Sequence, residues 1–218
     1  MFRRFTPALA TFFLAFLILS ISIFKSARVS YTFYPTTPGS DISIPADTPL
    51  VLGEDAEVKV DYELPYAGKI HPDNSLWFLK ATRDRLWLGL TTDQTKVAKL
   101  LLLFADKRLV SALHLFEKGK PELGFSTLSK GEKYLESAAK ALEENTNQGM
   151  DTTEFAQALS KASLKHKEVI EEIKKVATED AKPKINEVEN YAEDSYKTAR
   201  DSLQSQGEVA PITPLDWD

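Results

Sequence analysis

From residue 74 onward, apolar residues return every three or four positions, and the breaks between these runs carry the residues that start and stop helices. A first helix is expected from about Ser75 to Gly89, with Leu76, Leu79, Leu86 and Leu90 near one face and Asp73, Asn74 or Ser75 as its cap. A second is expected from Thr92 through Val97, Leu101, Phe104, Arg108 and Leu115 to Gly119, with Pro121 just beyond. The third runs from about Pro121 to Glu144 and repeats Leu128, Gly131, Leu135, Ala138 and Leu142. Asp151 and Glu154 resemble a capping box for a fourth, whose stripe is Phe155, Leu159, Ala162, His166, Val169, Ile173 and Val176. The fifth opens at Pro183 and carries Ile185, Val188, Ala192, Ala199 and Leu203.

Short loops between long helices imply antiparallel neighbours. The fold class expected is therefore all-α, an antiparallel helical bundle or set of helical hairpins behind a single N-terminal transmembrane helix. The fourth and fifth helices are heavily charged, with pairs such as Glu171 and Lys175 one turn apart, and they are expected to form a charged hairpin over 151–206 that protrudes from a domain over 64–145. An exposed part of the fourth helix's stripe is a candidate for self-association.

Before residue 74 the pattern changes. Ala8 to Phe24 is uncharged and almost wholly apolar, with Arg3 and Arg4 before it and Lys25 and Arg28 after it. As a helix it would span roughly 25 Å, enough to reach across a bilayer with snorkelling flanks. Ser20 and Ser22 have the spacing of a signal-peptide cut but lie inside the apolar run, so residues 1–29 are expected to remain as an anchor. On either reading the body is exported: N-terminus cytoplasmic, body extracytoplasmic, single pass through residues 8–24. Residues 30–63 hold Pro35, Pro38, Pro45 and Pro49 and read as an extended spacer, in which Val58, Val60 and Tyr62 alternate with charge without a visible partner strand. Residues 207–218, with Pro211, Pro214 and Trp217, read as a flexible tail.

Charge and composition remove several functions. The chain of 218 residues has a net charge of -5, and its first forty residues hold four bases and no acid, leaving -9 for the rest. Such a body has no overall attraction for nucleic acid or for anionic lipid. With no cysteine there is no disulfide, thiolate metal site or cysteine nucleophile. His71, His114 and His166 show no metal-binding spacing, and His166, on an apolar stripe between Lys165 and Lys167, reads as a register-setting or edge residue. Glu143 with Glu144 and Glu171 with Glu172 read as solvated helix faces rather than a general acid and base. No phosphate loop, nucleophile elbow or metalloprotease helix is present, so no catalytic residue, cofactor or metal is assigned.

The segment Leu64-Pro65-Tyr66-Ala67-Gly68-Lys69-Ile70-His71-Pro72-Asp73-Asn74-Ser75-Leu76-Trp77-Phe78-Leu79-Lys80 is followed by Arg83-Asp84-Arg85, Leu90-Thr91, Ala105-Asp106-Lys107-Arg108-Leu109 and Ser129-Lys130-Gly131-Glu132-Lys133-Tyr134-Leu135. In this order, over about residues 62–141, the motifs resemble a bacterial family known only as a domain of unknown function. The resemblance implies an exported helical domain behind one membrane segment and carries no ligand or activity. The sequence departs from the family's usual pattern at Ala67, His71, Ser75 and Gln94. Within the motif, Leu64, Pro65, Tyr66, Gly68, Pro72, Asp73, Trp77 and Phe78 form a candidate interaction surface, although turn-making and helix entry explain most of them. Leu90-Thr91-Thr92-Asp93-Gln94 also fits a pattern of exported stress-sensing chaperones, which helix capping explains as well. The expected function is a non-catalytic envelope protein presenting its helical domain to an unknown envelope protein or to a second copy, with an exported chaperone or stress sensor as the alternative.

Overall fold

The computed structural model describes residues 60–211. The apolar run at 8–24, the spacer up to residue 59 and the tail beyond residue 211 lie outside the described residues. Among the described residues no helix is long and apolar enough to cross a membrane. Five helices form there and no strand: α1 Trp77–Leu90, α2 Gln94–Glu117, α3 Pro121–Asn147, α4 Thr153–Val176 and α5 Lys182–Ser205. Residues 60–76 form a non-helical lead-in.

Local chemistry accounts for most of these limits. Asp93, rather than Thr92, caps α2, its Oδ1 accepting from the Lys96 N–H at 3.0 Å. Gly119 sits at φ +68°, a left-handed position open to glycine, so the chain turns there, and Pro121 starts α3. The expected capping box of α4 does not form. Asp151 Oδ1 accepts from the Thr153 N–H at 3.1 Å, and Thr152 is buried in a hydroxyl cluster with Thr146, Ser202 and Gln206 that ties the α3–α4 loop to the end of α5.

α2 to α5 make a four-helix bundle in which α2 lies against α3, α3 against α5, α5 against α4 and α4 against α2. This differs from the expectation that every consecutive pair would be neighbours: α3 and α4 stand diagonally across the bundle. Consequently α2 and α4 run parallel, joined at matching levels by Lys99 to Glu154 and Asp106 to His166, and α3 and α5 run parallel, joined by Thr146 to Ser202. The α4–α5 hairpin exists, held by Lys174 to Glu189, but it does not protrude. Its two stripes complete the same core as α2 and α3. The α4 stripe from Phe155 to Ile173 is buried, so it offers no exposed strip for self-association; only Val176 at its end is exposed.

Two apolar clusters fill the bundle. One gathers Leu102, Leu135, Leu142, Phe155, Leu159 and Leu203, and the other Leu109, Leu128, Val169, Ile170, Ile173 and Ile185. α2 and α3 approach closely because Gly131 has no side chain: a Cβ there would lie 3.2 Å from Arg108 Cβ and 3.4 Å from the Ala105 carbonyl.

α1 lies outside the bundle, against α2. Its inner side carries Trp87 and Leu88, which pack on Leu100, Leu103 and Phe104, with Trp87 edge-on to Phe104 at 6.1 Å. Asp84 is its only fully buried residue. The leucine stripe that periodicity marks as core-facing turns the other way: Leu76, Leu79, Leu86 and Leu90 are 50%, 46%, 42% and 69% exposed.

Candidate functional site

Between the two apolar clusters lies a layer of ionisable groups. Asp106 from α2, Glu132 from α3 and His166 from α4 are all buried, each one step along an otherwise apolar stripe. His166 Nδ1 lies 2.7 Å from Glu132 Oε1, and its Nε2 lies 3.0 Å from Asp106 Oδ1. The Tyr62 hydroxyl donates to Asp106 Oδ2 at 2.8 Å. Glu132 Oε2 has no hydrogen-bond partner among the described residues.

Burial alone would strip His166 of its proton, but the charge of Glu132 and the hydrogen bonds to Asp106 and Glu132 outweigh it and push the pKa up to about 10. The ring is therefore an imidazolium donating from both nitrogens to carboxylates on opposite sides. That geometry cannot converge on one ion, and among the described residues no group of three or more acids and histidines is placed to hold a metal. The Tyr62 phenol is pushed well above its usual range by burial, then by the neighbouring Asp106 charge, so it stays a donor.

The layer also fixes the lead-in. Val60 N–H donates to Glu168 Oε2 on α4 at 2.8 Å, while Tyr62 reaches Asp106 on α2, so the lead-in lies across the seam between those two parallel helices. A shallow hollow lined by Val60, Asp61, Tyr62, Glu63 and Lys165 marks this crossing on the surface. Tyr62→Phe should leave Asp106 Oδ2 buried without its donor, at about 1–3 kcal/mol. Hydrogen exchange should then speed up at Val60 and its neighbours while the centres of α3 and α5 stay protected.

A second cluster joins α1 to the bundle. Buried Asp84 is paired with Arg83 at 2.7 Å and sits in the field of Lys80, Lys107 and Arg108. Lys80 Nζ donates to the carbonyls of Ala67 at 2.6 Å and Ile70 at 3.2 Å, which holds the lead-in turn against α1. Burial, with repulsion from Lys107, Arg83 and Arg108 overcoming the pull of Asp84, brings its pKa down to about 8. Arg108 stacks over Tyr134 at 4.3 Å.

The eight motif residues separate. Leu64 packs on the apolar cluster around Leu109 and Ile170, Asp73 pairs with Lys118 at 3.6 Å and Lys120 at 2.8 Å, and Trp77 lies half-buried under the Lys80 ammonium at 4.8 Å. Gly68 takes φ +85° in a turn, and Pro65 and Pro72 are half-buried beside it. Tyr66 and Phe78 are the exposed members, at 74% and 63%. His71 and His114, distant in sequence, pack with ring centroids 4.5 Å apart and planes tilted by 41°, with Ser111 Oγ 3.2 Å from His71 Nδ1. Burial, His114 and the nearby Lys80 and Lys118 depress the His71 pKa.

A family model described as a domain of unknown function, DUF5667, matches residues 69–180, about half of the chain. The chain belongs to the DUF5667 family. The DUF5667 match spans α1 to α4 and contains Asp106, Glu132 and His166, while Tyr62 and α5 fall outside it. No curated protein and no solved structure matches the chain, so membership brings no ligand or activity with it. The resemblance read from the sequence over about residues 62–141 is thus borne out as an uncharacterised domain family, but the match begins at residue 69, leaving Leu64 to Gly68 outside it, and runs to residue 180, past the end of α4.

The acid–histidine layer was missed by sequence reasoning because each member looks like an isolated polar residue in a long helix. The one available signal was position: Asp106, Glu132 and His166 each interrupt an apolar stripe where a leucine would serve.

Proposed function

We propose that this DUF5667 protein is a non-catalytic, membrane-anchored envelope protein that acts by presenting a binding face on its helical domain, with α1 as the contact element. The observation that carries this reading is the outward stripe of Leu76, Leu79, Leu86 and Leu90, joined by exposed Phe78 and Tyr66. Leucines at a three-and-four spacing on a helix normally face a core, and here the side that meets the bundle is a different one. Apolar surface of this extent on a folded body supports a contact role. The acid, histidine and phenol groups that could do chemistry are occupied with one another in the bundle centre, which favours a structural role for them. The apolar run Ala8 to Phe24 with its basic flanks is the proposed anchor.

Site-specific photo-crosslinking tests the reading. A benzophenone side chain in place of Phe78, in the full-length protein in its native membrane, is expected to give adducts that disappear when Leu79 and Leu86 are changed to Glu. A discrete protein adduct would assign α1 to another envelope protein, and a lipid adduct to the bilayer. A ladder of unfolded exported clients would instead favour a chaperone. Adducts no stronger than those from the same probe at Glu172, exposed on α4, would overturn the binding face.

A further inference from the structure

α1 combines its apolar stripe with a charge pattern unlike the rest of the helical body. Between residues 64 and 92 the acids are Asp73, tied to Lys118 and Lys120, and Asp84, buried against Arg83. The bases are Lys69, Lys80, Arg83 and Arg85, of which Lys69 and Arg85 are exposed. An otherwise acidic body therefore turns one helix to solvent that is apolar along its ridge, basic at its flanks and free of exposed acid.

A second copy of the chain fits this face poorly. Leu76, Leu79, Leu86 and Leu90 keep to the three-and-four spacing of a coiled-coil seam, but Arg83, at its middle, is half-buried and paired with Asp84. Two copies paired through this face would bring its exposed bases, Lys69 and Arg85, together with no exposed acid on α1 to meet them.

An anionic lipid surface answers each feature. Leucine and phenylalanine enter the boundary between headgroups and acyl chains, arginine and lysine stems lie along the apolar ridge with their charges among phosphates, and Tyr66 is suited to the interface. A surface need not offer a matching seam, so the exposed bases are met rather than opposed. We propose that α1 is an interfacial helix that docks the DUF5667 domain flat on an anionic bilayer, through Phe78, Leu79, Leu86 and Leu90 with Arg85 and Lys69 at the rim. This rests on the reading of α1 as a binding face in an anchored protein, and it names the occupant. It adds a membrane contact within the helical domain to the single one expected at residues 8–24.

The absence of cysteine allows a clean test with the full-length chain. A nitroxide attached at Leu86→Cys, with Glu172→Cys as the off-face control, is read in vesicles of phosphatidylcholine and phosphatidylglycerol by its accessibility to oxygen against a water-soluble nickel complex. The Leu86→Cys label should be oxygen-exposed and nickel-shielded in these vesicles, and the Glu172→Cys label nickel-exposed. In pure phosphatidylcholine, or with Arg85→Gln or Lys69→Gln, the docked-to-free ratio should fall, by about fivefold for each charge removed. Leu79→Glu should abolish docking while the helical circular-dichroism spectrum is kept, since Leu79 is not part of the core.

If the chain floats with the vesicles but the Leu86→Cys label is as nickel-exposed as the control, lipid docking is overturned. A protein adduct at position 78 in the native membrane would then keep the binding face and assign it to a protein. Failure of the full-length chain to float overturns docking and anchoring together. Lack of both docking and adduct overturns the binding face itself.

Discussion

Replacing His166 with leucine is expected to destabilise the bundle by about 3–5 kcal/mol, because it leaves two carboxylates buried without the cation that lies between them. In the native protein one imidazolium satisfies Glu132 at 2.7 Å and Asp106 at 3.0 Å. Leucine fills much of the space but donates nothing. For a body of this size the loss corresponds to a fall in melting temperature on the order of 10 °C, measured by circular dichroism. The companion variant separates charge from shape. Changing Asp106, Glu132 and His166 all to Leu, with Tyr62→Phe so that no donor is stranded, should recover most of the loss, because an apolar layer needs no partners. If His166→Leu alone melts within a degree or two of the native protein, the layer does not hold the charges described.

The same layer gives stability a pH dependence of definite sign. The folded-state pKa of His166 lies near 10, above its unfolded value near 6.5, so the folded protein binds a proton that the unfolded chain releases. Its contribution is complete below about pH 6.5 and is lost as pH rises towards 10, on the order of a few kcal/mol across that window. Lys80 works in the opposite direction. Its folded pKa of about 8 lies below the unfolded 10.5, so its burial destabilises most at low pH and is relieved as pH rises from 8 towards 10.5. Half-burial weakens that term through solvent screening. Comparing urea denaturation of the native protein with the variant in which Asp106, Glu132 and His166 are all Leu and Tyr62 is Phe, from pH 6.5 to 9.5, cancels the Lys80 term without leaving unpaired carboxylates that would titrate in the same window. The stability gap between them should be widest at pH 6.5 and narrow steadily upward; a constant gap would mean that His166 does not hold its proton.

These expectations depend on how three helices meet, whereas the binding face depends on which side of one helix is left uncovered. Both are matters that helix periodicity raises without resolving. For α3, α4 and α5 the apolar stripe read from spacing is the stripe that is buried, because each of those helices sits at a corner of the bundle with neighbours on two sides. For α1 the same reading points outward. Trp87, Leu88 and Asp84 meet α2 instead, and a stripe of leucines shows only that something apolar could cover it. His166 was legible as a polar residue on an apolar stripe, and register-setting was a fair account of it, but its partners lie 34 and 60 residues away and no local rule pairs them.

By itself, the sequence determined the five helices of the described region and, to within a few residues, where they begin and end, since prolines and turn glycines act within a few residues of the backbone they shape. Membership of an uncharacterised domain family was legible as well. Only the tertiary structure decided that α3 and α4 lie diagonally opposed, that Asp106, Glu132, His166 and Tyr62 share one buried layer, and that the α1 leucines face outward. Those outcomes follow from side chains on different helices competing to fill one core and satisfy one another's charges, a balance that no single helix contains.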